Sequence, residues 1–173
     1  FDKHGPPLNS IVNVNGGAVA RAQELDEELA RAGELSGPLH GIPVLVKDCI
    51  ETSDVPTTFG SEIFADYQPK EDATLIRNLR AAGAIVIAKT ALPDFATSWW
   101  AYSSVVGETR NPYMLDGDPG GSSGGTGASV AANLGAVGLG TDCGGSIRVP
   151  ASFCNLVGVR STPGLVSRNG VGC

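Results

Sequence analysis

Between Asp118 and Pro150 the sequence reads DPGGSSGGTG, then ASVAANLGAVGLG, then TDCGGSIRVP. Gly120 to Gly124 fits G-x-S-x-G, the strained turn that presents a nucleophilic serine in α/β-hydrolases, whose histidine must follow the serine in the chain. The last histidine here is His40, so no histidine base follows Ser122 and that triad is excluded in its usual order. The known alternative base for a serine nucleophile is lysine. Of the four lysines, Lys3 and Lys70 lie in polar, turn-like segments, whereas Lys47 and Lys89 each close an apolar run. Burial disfavours an ammonium, which is how a lysine becomes a usable base, so Lys47 and Lys89 are the physical candidates. A lysine snorkelling from a strand end would read the same way. Further on, Gly144 and Gly145 ahead of Ser146 free the backbone to aim consecutive N–H groups at one point, an oxyanion hole or an anion nest. Spacing alone also fits a plain glycine-rich turn.

Two other uses of so much glycine fit less well. A flexible linker has no reason to carry the apolar residues Ala128, Val130, Ala131, Ala132, Leu134, Ala136, Val137 and Leu139, which call for a buried element. A phosphate cradle needs a lysine ahead of the hydroxyl residue, or G-x-G-x-x-G after a strand, and the stretch has neither.

The elements that must position these residues follow from periodicity. Ala18, Ala22, Leu25 and Leu29 recur at helical spacing, and Gly33 is placed to stop the helix. Ile42 to Val46 is short, apolar and β-branched, as a buried strand is, and it ends in Lys47-Asp48. Asp72 is expected to cap a helix carrying Leu75, Ile76 and Leu79, closed by Gly83, before a second buried strand from Ala84 to Thr90. Strand and helix alternate, so the fold class is α/β, in one domain over residues 1–173. Residues 55–60 and 99–119 read as loops, and of the adjacent Trp99 and Trp100 one is expected to face inward.

Composition narrows the function classes. With 173 residues, 42% of them hydrophobic and 17% charged, the chain can bury a core. The apolar run at Ala84 to Ala88 is far short of a membrane span. A net charge of −6 without any Lys/Arg-rich block gives no nucleic-acid footprint. Cys49, Cys143, Cys154 and Cys173 form no C-x-x-C pair, and His4 and His40 stand apart from them, so neither a metal nor another cofactor is expected. Free, mostly buried thiols and the lack of a signal-peptide pattern after Phe1 lead us to expect a cytoplasmic setting.

Taken together, GGSSGG (120–125) and GTDCGGSIRVPASFC (140–154) resemble the amidase signature family of serine hydrolases. GIPVLVKD (41–48), AGAIVIAKT (82–90), TRNPY (109–113) and VGVRSTPGLVSRNG (157–170) extend the resemblance over nearly the whole chain from about Gly5. The resemblance implies a mixed, largely parallel twisted sheet flanked by helices, in a longer chain of which this is an interior portion. It implies Lys47 as base, Ser122 as bridging serine after a cis Gly121–Ser122 peptide, and Ser146 as nucleophile. Backbone N–H groups of Cys143, Gly144, Gly145 and Ser146 would form the oxyanion hole, supported by Gly121, Ser123, Thr141, Asp142 and Arg148.

The implied activity is hydrolysis of a carboxylic amide through a serine acyl-enzyme, with a small-molecule amide as partner, no nucleic acid, no membrane segment, and a homodimer left open. Two other readings stay open. One is an amidotransferase A subunit, which works on aminoacyl-tRNA in a complex and often carries Gln where this chain has Val149. The other is a catalytically incompetent remnant. The chain departs from the family at GVRST (158–162), where G-L-K-P-T is frequent, and at Asn155, where glycine is common.

Overall fold

The computed structural model describes Asp2 and residues 7–172; Lys3, His4 and Cys173 lie outside the described residues. Its centre is a parallel pair of buried strands, β2 (Pro43–Lys47) and β3 (Ile85–Thr90). Strand β1 (Ile11–Val14) lies antiparallel outside β3, and β6 (Val137–Leu139) lies parallel outside β2, giving the order β1-β3-β2-β6. Two of the three ladders are parallel, so the sheet is mixed and largely parallel, as expected. Parallel neighbours need a crossover, and α2 (Thr74–Ala81) lies on the connection from β2 to β3. The remaining elements are α1 (Ala18–Ala32), the ribbon β4 (Tyr102–Ser103) and β5 (Gly107–Glu108), α3 (Gly124–Ala131) and α4 (Arg148–Phe153).

Strand alternation divides the core between the two faces of the sheet. Val44, Val46 and Val86 pack with Ile76 of α2, whereas Leu45, Ala88 and Ile11 meet Val130 beyond the sheet on the α3 side. The same alternation sends Lys47, paired in register with Thr90, to the α3 side. Lys89, in register with Val46, goes to the opposite side.

Helix α1 ends at Gly33 in the left-handed conformation, φ 75°, with the Gly33 N–H on Leu29 O. Asp72 does not cap α2, which starts at Thr74 with no side-chain cap. Its carboxylate instead accepts from the Ser53 N–H and hydroxyl and pairs with Arg80, tying the loop after β2 to the end of the helix. The apolar run from Ala128 to Leu139 is not one buried element. Burial in α3 runs through Ser129, Asn133 turns the chain at φ 59°, and Val137 is half exposed because β6 is an edge strand. Trp99 and Trp100 are both exposed, contrary to the inward turn expected of one, because their segment is held through its backbone. Trp100 N–H donates to Ser98 Oγ, and the Trp99 carbonyl packs against Gly121.

Among the described residues, no helix is long and apolar enough to cross a membrane. Cys49 is buried, Cys154 is a buried free thiol and Cys143 an exposed one. Burial, with a smaller effect from Asp118, pushes the Cys154 thiol up to about 12, so it packs as a small apolar group rather than reacting.

Candidate active site

Lys47 ends β2, at the carboxyl end of a central strand, and is wholly buried. Its Nζ lies 2.7 Å from Ser122 Oγ and 2.6 Å from Thr141 Oγ1. Ser122 and Ser123 stand just ahead of α3, after a cis Gly121–Ser122 peptide. Glycine at 121 is required by packing: an added Cβ would sit 2.9 Å from both Ser98 O and the Trp99 carbonyl carbon. The exposed tryptophan segment is therefore the wall against which the serine turn is pressed.

Ser146 reaches the same place from the other direction. The Ser123 N–H donates to Ser146 O at 3.1 Å, and Ser123 Oγ bonds both the N–H and the C=O of Thr141 at 3.3 Å. The two serine-bearing loops are thus laced by backbone and hydroxyl contacts around Lys47. Ser146 is 9% exposed. Among the described residues, no hydrogen bond joins its hydroxyl to Ser122 Oγ or to any other side chain.

Asp142 organises the loop after β6. Its side chain is 1% exposed and accepts from the Gly145 N–H at 2.7 Å, the Ile147 N–H at 3.1 Å and the Arg148 N–H at 3.3 Å. Arg148 adds Nε at 3.0 Å and a second guanidinium nitrogen at 3.1 Å. Arg160, from the segment after α4, donates to the Asp142 carbonyl at 3.2 Å. Burial by itself would raise the Asp142 carboxyl, but the Arg148 guanidinium and the three N–H groups outweigh it and hold it well below the usual carboxylate range. One expectation changes as a result: the Gly145 N–H is engaged by Asp142 and cannot also donate to an oxyanion. The N–H groups of Cys143, Gly144 and Ser146 have no acceptor among the described residues.

The depressed carboxyl predicts a pH dependence with a definite sign. A carboxylate held lower in the folded state than in the unfolded one adds stability above its ordinary value near 4, and that stability is lost as pH falls through the folded value. Hydrogen exchange at the Gly145, Ile147 and Arg148 amides should stay slow from neutrality down through pH 4. Asp142→Asn, which removes the charge from these bonds at a cost of about 2 kcal/mol, should speed that exchange at least ~10-fold at pH 7. Unchanged exchange in the variant would show that the loop holds without the carboxylate.

Lys89, the other lysine candidate, does not reach the serines. It is buried across the sheet, 3.1 Å from Asp48 and 2.6 Å from Thr57 Oγ1. Asp48 and the threonines at 57 and 58 escaped the sequence reading, although a carboxylate directly after a buried strand is itself a signal, since a buried charge must be paired. A cavity of about 1070 Å3 runs along β6 and residues 156–168 and touches Ser123, Thr141 and Cys143, but Lys47, Ser122 and Ser146 do not line it.

Comparison with known proteins agrees with the fold. A family model described as Amidase matches residues 2–172. The A subunit of the glutamyl-tRNA(Gln) amidotransferase from Carboxydothermus hydrogenoformans is 49% identical over 150 residues, 87% of this chain and 31% of that protein. The structure of native peptide amidase from Stenotrophomonas maltophilia superposes with a TM-score of 0.94 at 43% identity, covering 98% of this chain and 36% of that one. A fatty acid amide hydrolase gives 0.89 at 30% identity, over 95% of this chain and 29% of that one. The chain spans about a third of the length of the relatives it matches. On the family match and the shared fold, this chain belongs to the amidase signature family.

Proposed function

We propose that this chain carries the acyl-transfer core of an amide hydrolase, with Ser146 as nucleophile, Ser122 as proton relay and Lys47 as base. The contact that carries the reading is Lys47 Nζ on Ser122 Oγ at 2.7 Å, at zero exposure, with the Ser146 loop bonded alongside. Ser146 Oγ attacks the amide carbonyl carbon while its proton passes to Ser122 Oγ and the Ser122 proton passes to neutral Lys47. The N–H groups of Cys143, Gly144 and Ser146 take the developing oxyanion; one such donor is worth roughly 3 kcal/mol. As the C–N bond breaks, the proton returns through Ser122 to the leaving nitrogen. Water then enters by the same relay and releases the acid. Among the described residues Ser146 and Ser122 are not hydrogen-bonded to each other, and such contacts commonly tighten only when substrate binds. Thr141, the second hydroxyl on Nζ, orients the amine, and Asp142 with Arg148 fixes the oxyanion loop.

The identity to amidotransferase A subunits favours a second reading, in which the same core works inside a complex on aminoacyl-tRNA. A net charge of −6 then leaves tRNA contact to other subunits or segments. Copurification of tRNA or a stoichiometric partner would select it.

The core itself is tested by exposing the chain to a fluorophosphonate and mapping the adduct by peptide mass spectrometry. An adduct at Ser146, absent in Ser146→Ala, is expected. No adduct, or one that survives in the variant, would sink the assignment.

A further inference from the structure

The steps above leave one buried ionisable pair without a role. Lys89 and Asp48 are both wholly buried, with Nζ 3.1 Å from Asp48 Oδ1. The other carboxylate oxygen accepts the Thr58 N–H at 3.0 Å and the Thr58 hydroxyl at 2.5 Å. Oδ1 takes no aligned hydrogen bond, so it is the charge of the ammonium that compensates it. For stability alone such a pair is a poor choice, because well-packed apolar residues in its place are often as stabilising or more so. Its position gives it another use. Asp48 directly follows Lys47, and Lys89 stands across from Val46 on the neighbouring strand.

We propose that Lys89 is a positioning residue for the acyl-transfer site: it neutralises Asp48, so that the carboxylate adjoining Lys47 does not hold a proton on the Lys47 amine. The proposal rests on Lys47 being the base. An uncompensated carboxylate in a low-dielectric interior stabilises a nearby ammonium strongly, and a protonated Lys47 cannot accept the serine proton. Burial pushes the Asp48 carboxyl up and the Lys89 ammonium down, and each charge opposes the other's shift. Whichever member holds the proton, the pair has no net charge. Among the described residues, the other titratable or charged groups in the segments next to Lys47 include Cys49 after β2, Asp118 ahead of the serine turn, and Asp142, Cys143 and Arg148 around the loop after β6; α3, β1 and β6 carry none. Asp142 is matched by Arg148 and Arg160, Asp118 accepts the Ala101 and Gly120 N–H groups, and Asp48 is the carboxylate compensated by Lys89.

The test is the pH dependence of Ser146 labelling by a fluorophosphonate on the intact chain, in the wild type, Lys89→Met and the double variant Asp48→Asn/Lys89→Met. Wild-type labelling should rise along an acid limb as Lys47 loses its proton. In Lys89→Met the limb should move up by about one pH unit or more, making labelling about tenfold slower on its acid side. In the double variant, which has neither charge, the limb should return to the wild-type position. A limb that stays put in Lys89→Met, or a double variant displaced as far as the single, overturns the proposal. Should Lys89→Met fail to fold because Asp48 is left buried and unpaired, the double variant decides. Folded with its limb in place, it upholds the proposal; folded with a displaced limb or no labelling, or unfolded, it overturns it. An unlabelled wild type overturns the base assignment beneath it, a failure that these variants do not produce.

Discussion

Lys47→Met is expected to slow fluorophosphonate labelling of Ser146 by about a thousandfold or more at neutral pH, with little change in melting temperature. The two halves of that expectation come from the same geometry. Lys47 touches the relay directly, through Ser122 Oγ at 2.7 Å and Thr141 Oγ1 at 2.6 Å, so its loss removes the acceptor of the serine proton. Positioned acid–base groups contribute about 10²–10⁴-fold, and a triad acts as a unit, so the loss belongs at the upper end. Methionine matches the length of the lysine stem and carries no charge, so it fills the site beside Leu45 without leaving an unpaired buried ion. Stopped-flow labelling beside a thermal melt separates the two effects. Labelling within tenfold of wild type, in a folded variant, would remove Lys47 from the mechanism.

How much of this could be read in the sequence depended on the range of the interaction. The two buried strands and α1 were legible because apolar runs, helical spacing and a terminal glycine are local signals, and the mixed sheet came from the family resemblance. The choice between Lys47 and Lys89 was not legible from the residues themselves. Both close an apolar strand, and only the strand register puts one on the α3 side with the serines and the other against Asp48. Asp72 misled because a carboxylate before a helix has two local uses, and the loop at Ser53 claimed it. Gly145 misled for a similar reason. Its freedom to aim an N–H group was read correctly, but the acceptor turned out to be Asp142, three residues back. The tryptophan rings lie outside, with the Ser98 and Trp99 backbone packed against Gly121 and the Trp100 N–H held by Ser98 Oγ.

The glycines around the serine turn are where local and long-range demands collide, and Gly125→Ala should expose this most sharply. An alanine inside a helix is ordinarily worth about 1 kcal/mol over glycine, so α3 considered alone would gain. In the fold, the added Cβ would lie 2.3 Å from Ala91 N, 2.6 Å from Ala91 O and 2.6 Å from Ser10 O. All three are backbone atoms and already bonded: Gly125 N–H donates to Ala91 O and Ala91 N–H to Ser10 O. No rotamer change can relieve such a contact, so α3 must lift from the sheet. Overpacking of this kind costs about 1–3 kcal/mol and more where backbone must move, which exceeds the gain in helix propensity. A net loss of about 2–3 kcal/mol should lower the melting temperature by roughly 4–12 °C in a chain of this size. The displacement would also carry Ser122 and Ser123, three and two residues upstream, away from Lys47 and Thr141, so labelling of Ser146 should fall with stability. Gly16→Ala is the matched control, because a Cβ there meets nothing within 4 Å. If both variants melt alongside the wild type, α3 is not seated on the sheet as closely as the structure places it, and the contact between Ser122 and Lys47 loses its support.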